Sequence, residues 1–295
     1  MSLLTNGLRL PAHARRGGCL RVLRRVAASL PVLFCLTTVS LAWAEESWRP
    51  RVQPASPGPF PVIRSFHGEF RFGWSNIEAA GAVADFSNDG RQIQVEVSGG
   101  TTGLARSLWE MQAVHRAWIW VDRLQPVYFT QTETYAKKSV EMQAVFKSDA
   151  LWYWRRVSPD PTHAAKWKRL KLEPVRDIVS AMLFIRSQPL RDGDSIGVIA
   201  FPGDAPYLVE TEVEGRTVIE TGGVKRKAIR LGFTLKKIEV KKGGQLTDHK
   251  KFRNGTVWLS DDQDRIPLRA EVNIFVGFVY GELKSLTFSP PGSGN

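Results

Sequence analysis

The chain has 295 residues, with 41 lysines and arginines against 29 aspartates and glutamates and a formal net charge of +12. Six of those arginines and both cysteines, Cys19 and Cys35, fall in the first 44 residues, so the remainder carries 35 basic and 29 acidic side chains and no thiol. A surplus of that size excludes a dedicated nucleic-acid binder, which needs a dense basic surface, and the missing thiols exclude disulfide staples, thiolate metal sites and thiol catalysis beyond residue 44.

The opening stretch reads as a secretory signal. Arg9, Arg15, Arg16, Arg21, Arg24 and Arg25 form a basic leader without acids, and Val26 to Leu41 is an apolar run broken only by Ser29, Pro31, Thr37, Thr38 and Ser40. Ala42-Trp43-Ala44 supplies small residues where a signal peptidase reads, which predicts cleavage before Glu45. A retained membrane anchor is the alternative, but spanning takes about 20 apolar residues and this run is shorter. Phe34 is too bulky to precede a lipid-modified Cys35. The expected setting is the periplasm or the exterior of the cell.

Glu45 to Ile63 carries Pro50, Pro54, Pro57, Pro59 and Pro61, which oppose helix and sheet pairing and predict an extended tether. From residue 64 to 288 the dominant signal is alternation, expected of one β-rich domain, and Ser289 to Asn295 is a flexible tail rich in Pro, Gly and Ser. Ile93, Val95 and Val97 alternate with polar neighbours, as do Val140, Met142, Ala144 and Phe146, then Val209, Thr211 and Val213, then Ile229, Leu231, Phe233 and Leu235, then Leu268, Ala270, Val272 and Ile274. Such half-buried strands belong to antiparallel sheets. Asn88-Asp89-Gly90, Gly243-Gly244 and Asn254-Gly255 are tight-turn residues between them. Roughly a dozen strands are too many for one flat sheet, so the predicted fold is mainly β, a strongly curved antiparallel sheet or incomplete barrel with two short inserted helices.

The first helix is predicted over Gly103 to Met111, amphipathic through Leu104, Leu108 and Met111. The second is predicted over residues 174 to 187, with Pro174 as its first residue, Asp177 near its positive end, Arg186 near its negative end and Pro189 forbidding continuation. Apolar residues nearly encircle it, which calls for burial on more than one side.

Several strands are apolar on both faces. Trp118 and Trp120 oppose Ala117, Ile119 and Val121, and Leu151-Trp152-Tyr153-Trp154 repeats the feature. One face can pack on the core while the other lines a concavity partly plugged by the second helix, so Trp118, Trp120, Trp152, Trp154 and Phe184 are candidate ligand-lining residues, with Arg155 and Arg156 at a polar rim. Complete filling of that concavity by the helix and loops is the plainer alternative. Basic runs, Lys166 to Lys171 among them and Lys236, Lys237, Lys241, Lys242, Lys250, Lys251 and Arg253 on a hairpin, could meet lipid phosphates, an anionic envelope polymer or a partner protein, or could be solvated strand edges.

Enzyme signatures are missing. Gly73-Trp74-Ser75-Asn76-Ile77 does not complete a nucleophile elbow, there is no phosphate-binding or dinucleotide glycine motif, and His67, His115, His163 and His249 stand apart without metal-ligand spacing. Asp261-Asp262-Gln263-Asp264 lacks the glycine and terminal Glu of a calcium loop and reads as a polar turn. No catalytic residue, metal or cofactor is expected.

Asp177-Ile178-Val179-Ser180-Ala181-Met182-Leu183-Phe184-Ile185-Arg186-Ser187-Gln188-Pro189-Leu190, closing in Gly193-Asp194, resembles the helix motif of the bacterial domain-of-unknown-function family 3108 (DUF3108). Val257-Trp258-Leu259-Ser260-Asp261-Asp262 with Ile266-Pro267 and Gly277 resembles its C-terminal hairpin, and Phe70 to Trp74, Ala80-Gly81 and Thr102-Gly103-Leu104 resemble its N-terminal elements. Met111-Gln112 stands where that family has a Pro-bearing turn. The resemblance spans roughly residues 66 to 288. It implies an exported bacterial protein and brings no activity or catalytic residues with it. The strand order with two inserted helices is also similar to the half-barrel of periplasmic lipoprotein carriers, whose concave faces hold acyl chains.

The expected function is therefore a non-enzymatic cell-envelope protein that binds or carries an apolar or lipid-like ligand, with contact to a membrane surface possible and no nucleic-acid partner. The competing expectation is an assembly module whose basic hairpins dock an envelope protein or anionic polymer.

Overall fold

The computed structural model describes residues 47–290 except 55, 76, 159–164, 250, 251, 253 and 275. The expected signal at 1–44, His163, Lys250, Lys251, Arg253 and the end of the expected tail lie outside the described residues. In chain order the strands are β1 (Phe66–Trp74), β2 (Ile77–Asn88), β3 (Gln92–Thr101), β4 (Met111–Trp120), β5 (Gln125–Tyr135), β6 (Lys138–Phe146), β7 (Leu151–Ser158), β8 (Lys168–Leu170), β9 (Val175–Arg176) and β10 (Ser195–Ala200). They continue with β11 (Tyr207–Thr221), β12 (Val224–Glu239), β13 (Gln245–Asp248), β14 (Asn254–Ser260), β15 (Pro267–Asn273) and β16 (Phe278–Phe288). Helices α1 (Gly103–Leu108) and α2 (Ile178–Ser187) are inserted before β4 and β10.

All sixteen strands belong to one sheet, in the order β8-β7-β6-β5-β4-β3-β2-β1-β16-β15-β14-β12-β11-β10-β9, with β13 paired on β12. Neighbours are antiparallel except β9 and β10. An open twisted sheet this wide must curl, and its two edges show how far. β8 and β9 are consecutive in the chain with only residues 171–174 between them, and Leu170 and Val175 pack against the same cluster of Leu172, Ile199, Leu208 and Ile238. The edges thus adjoin, yet no ladder joins β8 to β9, and the result is an incomplete barrel.

Strand register sorts the side chains by face, because residues directly opposite each other across an antiparallel pair point the same way. Val95, Ala117, Phe129, Ala144 and Tyr153 form one continuous row across β3 to β7. That row meets α2 through Leu183 and the loop after β10 through Phe201, whose ring lies 4.8 Å from that of Tyr153. It defines the concave face and the main core. The loop comes close to the concave face at Gly203, where a Cβ would sit 2.7 Å from Gln131 Oε1, and its φ of +122° is the reason glycine stands there.

Three details differ from the sequence reading. The proline-rich stretch, expected as an extended tether, lies along the domain: Trp48 is 2% exposed among Leu172, Ile199, Leu208 and Ile238, residues 49–51 form a 3-10 turn, and Gln53 N–H donates to the Gly197 carbonyl at 2.8 Å. The prolines do not prevent this, since burial here comes from Trp48 and Ile63 and needs no continuous ladder. The second helix starts at Ile178, not Pro174, because Val175 and Arg176 pair in parallel with Ile199 and Ala200 before Asp177 caps the helix. The first helix ends at Leu108, and Met111 opens β4 instead.

Candidate functional site

The second helix is fixed at both ends. At its start the Asp177 carboxylate accepts the Val179 N–H (2.8 Å), the Ser180 N–H (3.1 Å) and the Ser180 hydroxyl (2.8 Å), satisfying donors that have no partner inside the helix. Burial pushes the Asp177 carboxyl upward, and these donors pull it only part of the way back. Neighbouring Arg176, brought down to about 10 by burial with Asp177 opposing, lies 3.9 Å over the Phe184 ring and donates to the Leu124 carbonyl. At the far end Arg265 donates to the carbonyls of Arg186 (2.8 Å), Gln188 (2.6 Å) and Pro189 (3.0 Å), while Arg186 reaches Asp264 O (2.9 Å) and Pro61 O (2.6 Å). Cations on the last carbonyls complement the helix dipole. The acidic run 261–264 is the polar turn that organises this end: Asp262 Oδ1 accepts from Asp264 N–H, Arg265 N–H and the Ser260 hydroxyl.

So held, α2 faces two different surfaces. Leu183 enters the core of the β3 to β7 half, and Phe184 packs with Ile196, Val198, Val213, Ile229 and Leu259 of the other half. Between the start of α2 and that second half the walls do not meet. A cleft of about 550 Å³ remains, with Ile178, Ala181, Met182 and Ile185 on the helix side and Val209, Leu231, Phe233, Leu235 and Val257 on the sheet side. Its volume falls within the usual range for small-molecule sites, roughly 300 to 1,000 Å³. Ala181 and Ala200 keep it open by being small. Ile178, 40% exposed, stands at its entrance.

Polar groups gather at one end of the cleft. Asp204, Tyr207 and His249 line it there, the Tyr207 hydroxyl lying 3.4 Å from Asp204 Oδ2. Burial foremost, then the Asp204 charge, pushes the Tyr207 phenol up to about 12, so it stays protonated at neutral pH. The His249 ring stacks on Phe252 at 4.7 Å and lies 5.4 Å from Tyr207.

The sequence-selected tryptophans stand elsewhere. Trp118, Tyr128, Val145, Trp152 and Arg169 form one row on the face opposite the Ala117 and Phe129 row, turned away from α2. Trp118 lies against Tyr128 at 5.3 Å, Trp152 has Arg169 at 5.6 Å and Lys147 at 6.0 Å over its ring, and Trp154 Nε1 donates to Gln143 Oε1 at 3.1 Å. Trp120 is 41% exposed. Strand parity is the reason: Ala117, Ile119 and Leu151 take the concave face, so the alternate residues cannot. The structure therefore puts four of the five candidates on one face, two on β4 and two on β7 with β5 and β6 between them and outside the cleft, while Phe184 packs in the cluster at its back. Arg155, opposite Met142, is on the concave face and Arg156 on the other, paired with Glu141 at 2.7 Å, so the two form no common rim.

The same concave face carries a polar group the sequence did not suggest. His115, at 3.7 Å, with Tyr135 Oη (2.6 Å) and Gln131 Nε2 (2.5 Å), holds the Glu133 carboxyl down at about 2, although burial opposes this. On the basic hairpin, Lys236 pairs with Asp248 and Lys237 with Glu239 at 2.7 Å, so part of its charge is spent internally. Among the described residues no cluster of three or more His, Cys, Asp or Glu side chains could hold a metal ion, and no helix is long and apolar enough to cross a membrane.

The fold is similar to that of a β-barrel-like protein of domain of unknown function DUF1849 from Brucella abortus, at 9% identity over 78% of this chain and 99% of that one, with a TM-score of 0.52. Two weaker likenesses carry no structural weight: a lipoprotein candidate from Parabacteroides distasonis (7% identity, 80% and 100% coverage, TM-score 0.31) and lipoprotein LppX from Mycobacterium tuberculosis (13% identity, 75% and 85% coverage, TM-score 0.22). No curated protein of known function matches the chain in sequence. The family model for the protein of unknown function DUF3108 matches residues 69–284, which takes in both helices and nearly the whole sheet, and the chain belongs to that family.

Proposed function

We propose that this is an exported envelope protein that binds, without transforming it, an apolar or lipid-like ligand in the cleft beside α2. The observation that carries the reading is the cleft itself: a void walled by aliphatic and aromatic side chains between a doubly anchored helix and the β10 to β14 half of the sheet. A water-filled cavity of that lining is unfavourable, because each exposed apolar wall gains by contact with another apolar surface. The leader read from residues 1–44 supplies the setting. Docking through the basic hairpin has less support, because Lys236 and Lys237 already face acidic partners.

The test uses the full chain, expressed with its leader in a bacterial host. Native mass spectrometry of the purified protein is expected to show a bound amphiphile, and a fluorescent fatty acid is expected to bind and be displaced. In Val209→Phe, whose ring would project into the cleft, the probe should be lost while the fold is kept. Undiminished binding in that variant would place the ligand elsewhere, and an empty protein that takes up no apolar probe would end the proposal.

A further inference from the structure

The cleft has direction, and its ends differ in chemistry. We propose that it selects amphiphiles whose head group donates hydrogen bonds and carries no negative charge. This rests on ligand binding in the cleft, as proposed above, and adds the class of head group.

Register lays out the sheet wall from its depth to its mouth. Leu231 lies level with Val213 and Val257, Phe233 with Thr211, Leu235 with Val209, and Tyr207 with Lys237. Polarity thus arrives mainly in the last row, where β11 begins and the loop carrying Asp204 enters. Lys237 is the cation level with Tyr207, but its ammonium is bound to Glu239 at 2.7 Å, so that pair is neutral as a unit. Asp204 has no ion pair among the described residues. It accepts the Ala205 N–H at 2.8 Å and faces the Tyr207 hydroxyl. Burial foremost, and the Asp204 charge after it, raise both Tyr207 and Tyr153, in keeping with the place of Asp204 in the cleft lining. An alkyl chain lying along the Leu231 to Leu235 wall would bring its head to Asp204, Tyr207 and His249. An ammonium or hydroxyl head finds a carboxylate acceptor there. A carboxylate or phosphate head meets a like charge beside apolar walls, where repulsion is screened less than in open water.

The experiment compares three amphiphiles with one chain length, dodecylamine, dodecanol and dodecanoate, each below its aggregation concentration, as competitors for the uncharged probe N-phenyl-1-naphthylamine bound to the full chain at low salt. Dodecylamine is expected to displace the probe at about tenfold lower concentration than dodecanoate, the sum of one surface-type attraction and one repulsion, with dodecanol between them. In Asp204→Asn, an exposed loop position, the gap should shrink to about twofold or less. Equal potency, a gap unchanged in Asp204→Asn, or a ranking led by dodecanoate would overturn the head-group inference while leaving the cleft as a binding site. Failure of the probe and all three chains to bind would remove both proposals together.

Discussion

The two halves of the sheet use the same alternation of residues and reach different ends. Across β3 to β7 the concave face is filled: Phe129, Tyr153, Phe201 and Leu183 meet there, and Ile93, Ile119 and Phe129 have no exposed surface. Across β10 to β14 the same face is filled only at the back, by Phe184, and toward the start of α2 it stays open beside Ala181 and Ala200. One helix serves both halves, so the difference lies in which of its residues face each side. The comparison teaches that a β-rich cup does not become a binding site by curvature alone; it needs small residues where its plug meets the wall.

Truncations should therefore read differently on the two sides. Phe201→Ala, in the filled half, is expected to lose about 3 to 5 kcal/mol, the usual cost of an aromatic cavity in a closed core, read from the urea midpoint at constant m-value. Phe233→Ala, on the cleft wall, should cost roughly 1 kcal/mol, because a partly exposed ring leaves no sealed void. Similar losses at the two sites would show that the cleft is closed in solution and erase the distinction between the halves.

The helix that divides the halves depends on its cap. Asp177→Ala is expected to cost about 1 to 2 kcal/mol, since two backbone N–H groups lose their acceptor and the Ser180 hydroxyl keeps only the Asp177 carbonyl. Asp177→Asn, which keeps a side-chain oxygen, should lose less. Probe binding should fall with Asp177→Ala, because Ile178 at the cleft entrance is the first residue the cap positions. Equal stability of the two variants would mean that the capping geometry contributes little.

Filling the open half tests the comparison from the other direction. Val209→Phe should weaken probe binding at least about tenfold, equivalent to about 1.4 kcal/mol, while leaving stability unchanged or slightly higher, since the added ring enters empty space rather than a packed core. The same enlargement in the filled half, Ala144→Phe, should destabilise instead.

Acid should weaken the filled half through its polar group. Glu133 is held at about 2, below its ordinary 4.5, so in the folded protein it stays ionised where the unfolded chain would take up a proton. Its contribution to stability is complete above pH 4.5 and is lost as pH falls toward 2. Urea midpoints measured from pH 5 to pH 2 should decline less steeply in Glu133→Gln than in the wild type. Parallel curves would assign the acid sensitivity to other carboxylates.

Much of the fold was legible because one face of most strands is polar. Ile93, Val95 and Val97 in β3, and Leu268, Ala270 and Val272 in β15, announce strand and face together. In β4 and β7 both faces are apolar, and periodicity then separates the two sets without saying which is concave. That missing sign put Trp118, Trp120, Trp152 and Trp154 on the wrong side for the cleft. Helix α2 was legible as a buried plug, but its true start was not, because Val175 and Arg176 pair with a strand that follows them in sequence. The cleft mouth was the least visible part. Asp204 and Tyr207 form one short segment and His249 and Phe252 another about forty residues later, and the two meet only through the β11 and β12 register and two loops.

The smallest expected effect bears directly on that missing sign. If parity decides which tryptophans matter, Trp154→Ala should change probe affinity by less than about twofold, within what an exposed-face substitution does to a remote site. The indole is half-buried beside Gln143, so a modest loss of stability is expected with it, since the Gln143 amide loses its donor and neighbouring side chains lose a flat contact. Isothermal titration with the same probe on wild type, Trp154→Ala and Val209→Phe separates the two faces in one series. A loss in Trp154→Ala as large as in Val209→Phe would locate binding on the outer face, where Trp118, Tyr128, Val145 and Trp152 form one row across four strands, and the open half of the sheet would then be a packing defect with no bearing on binding.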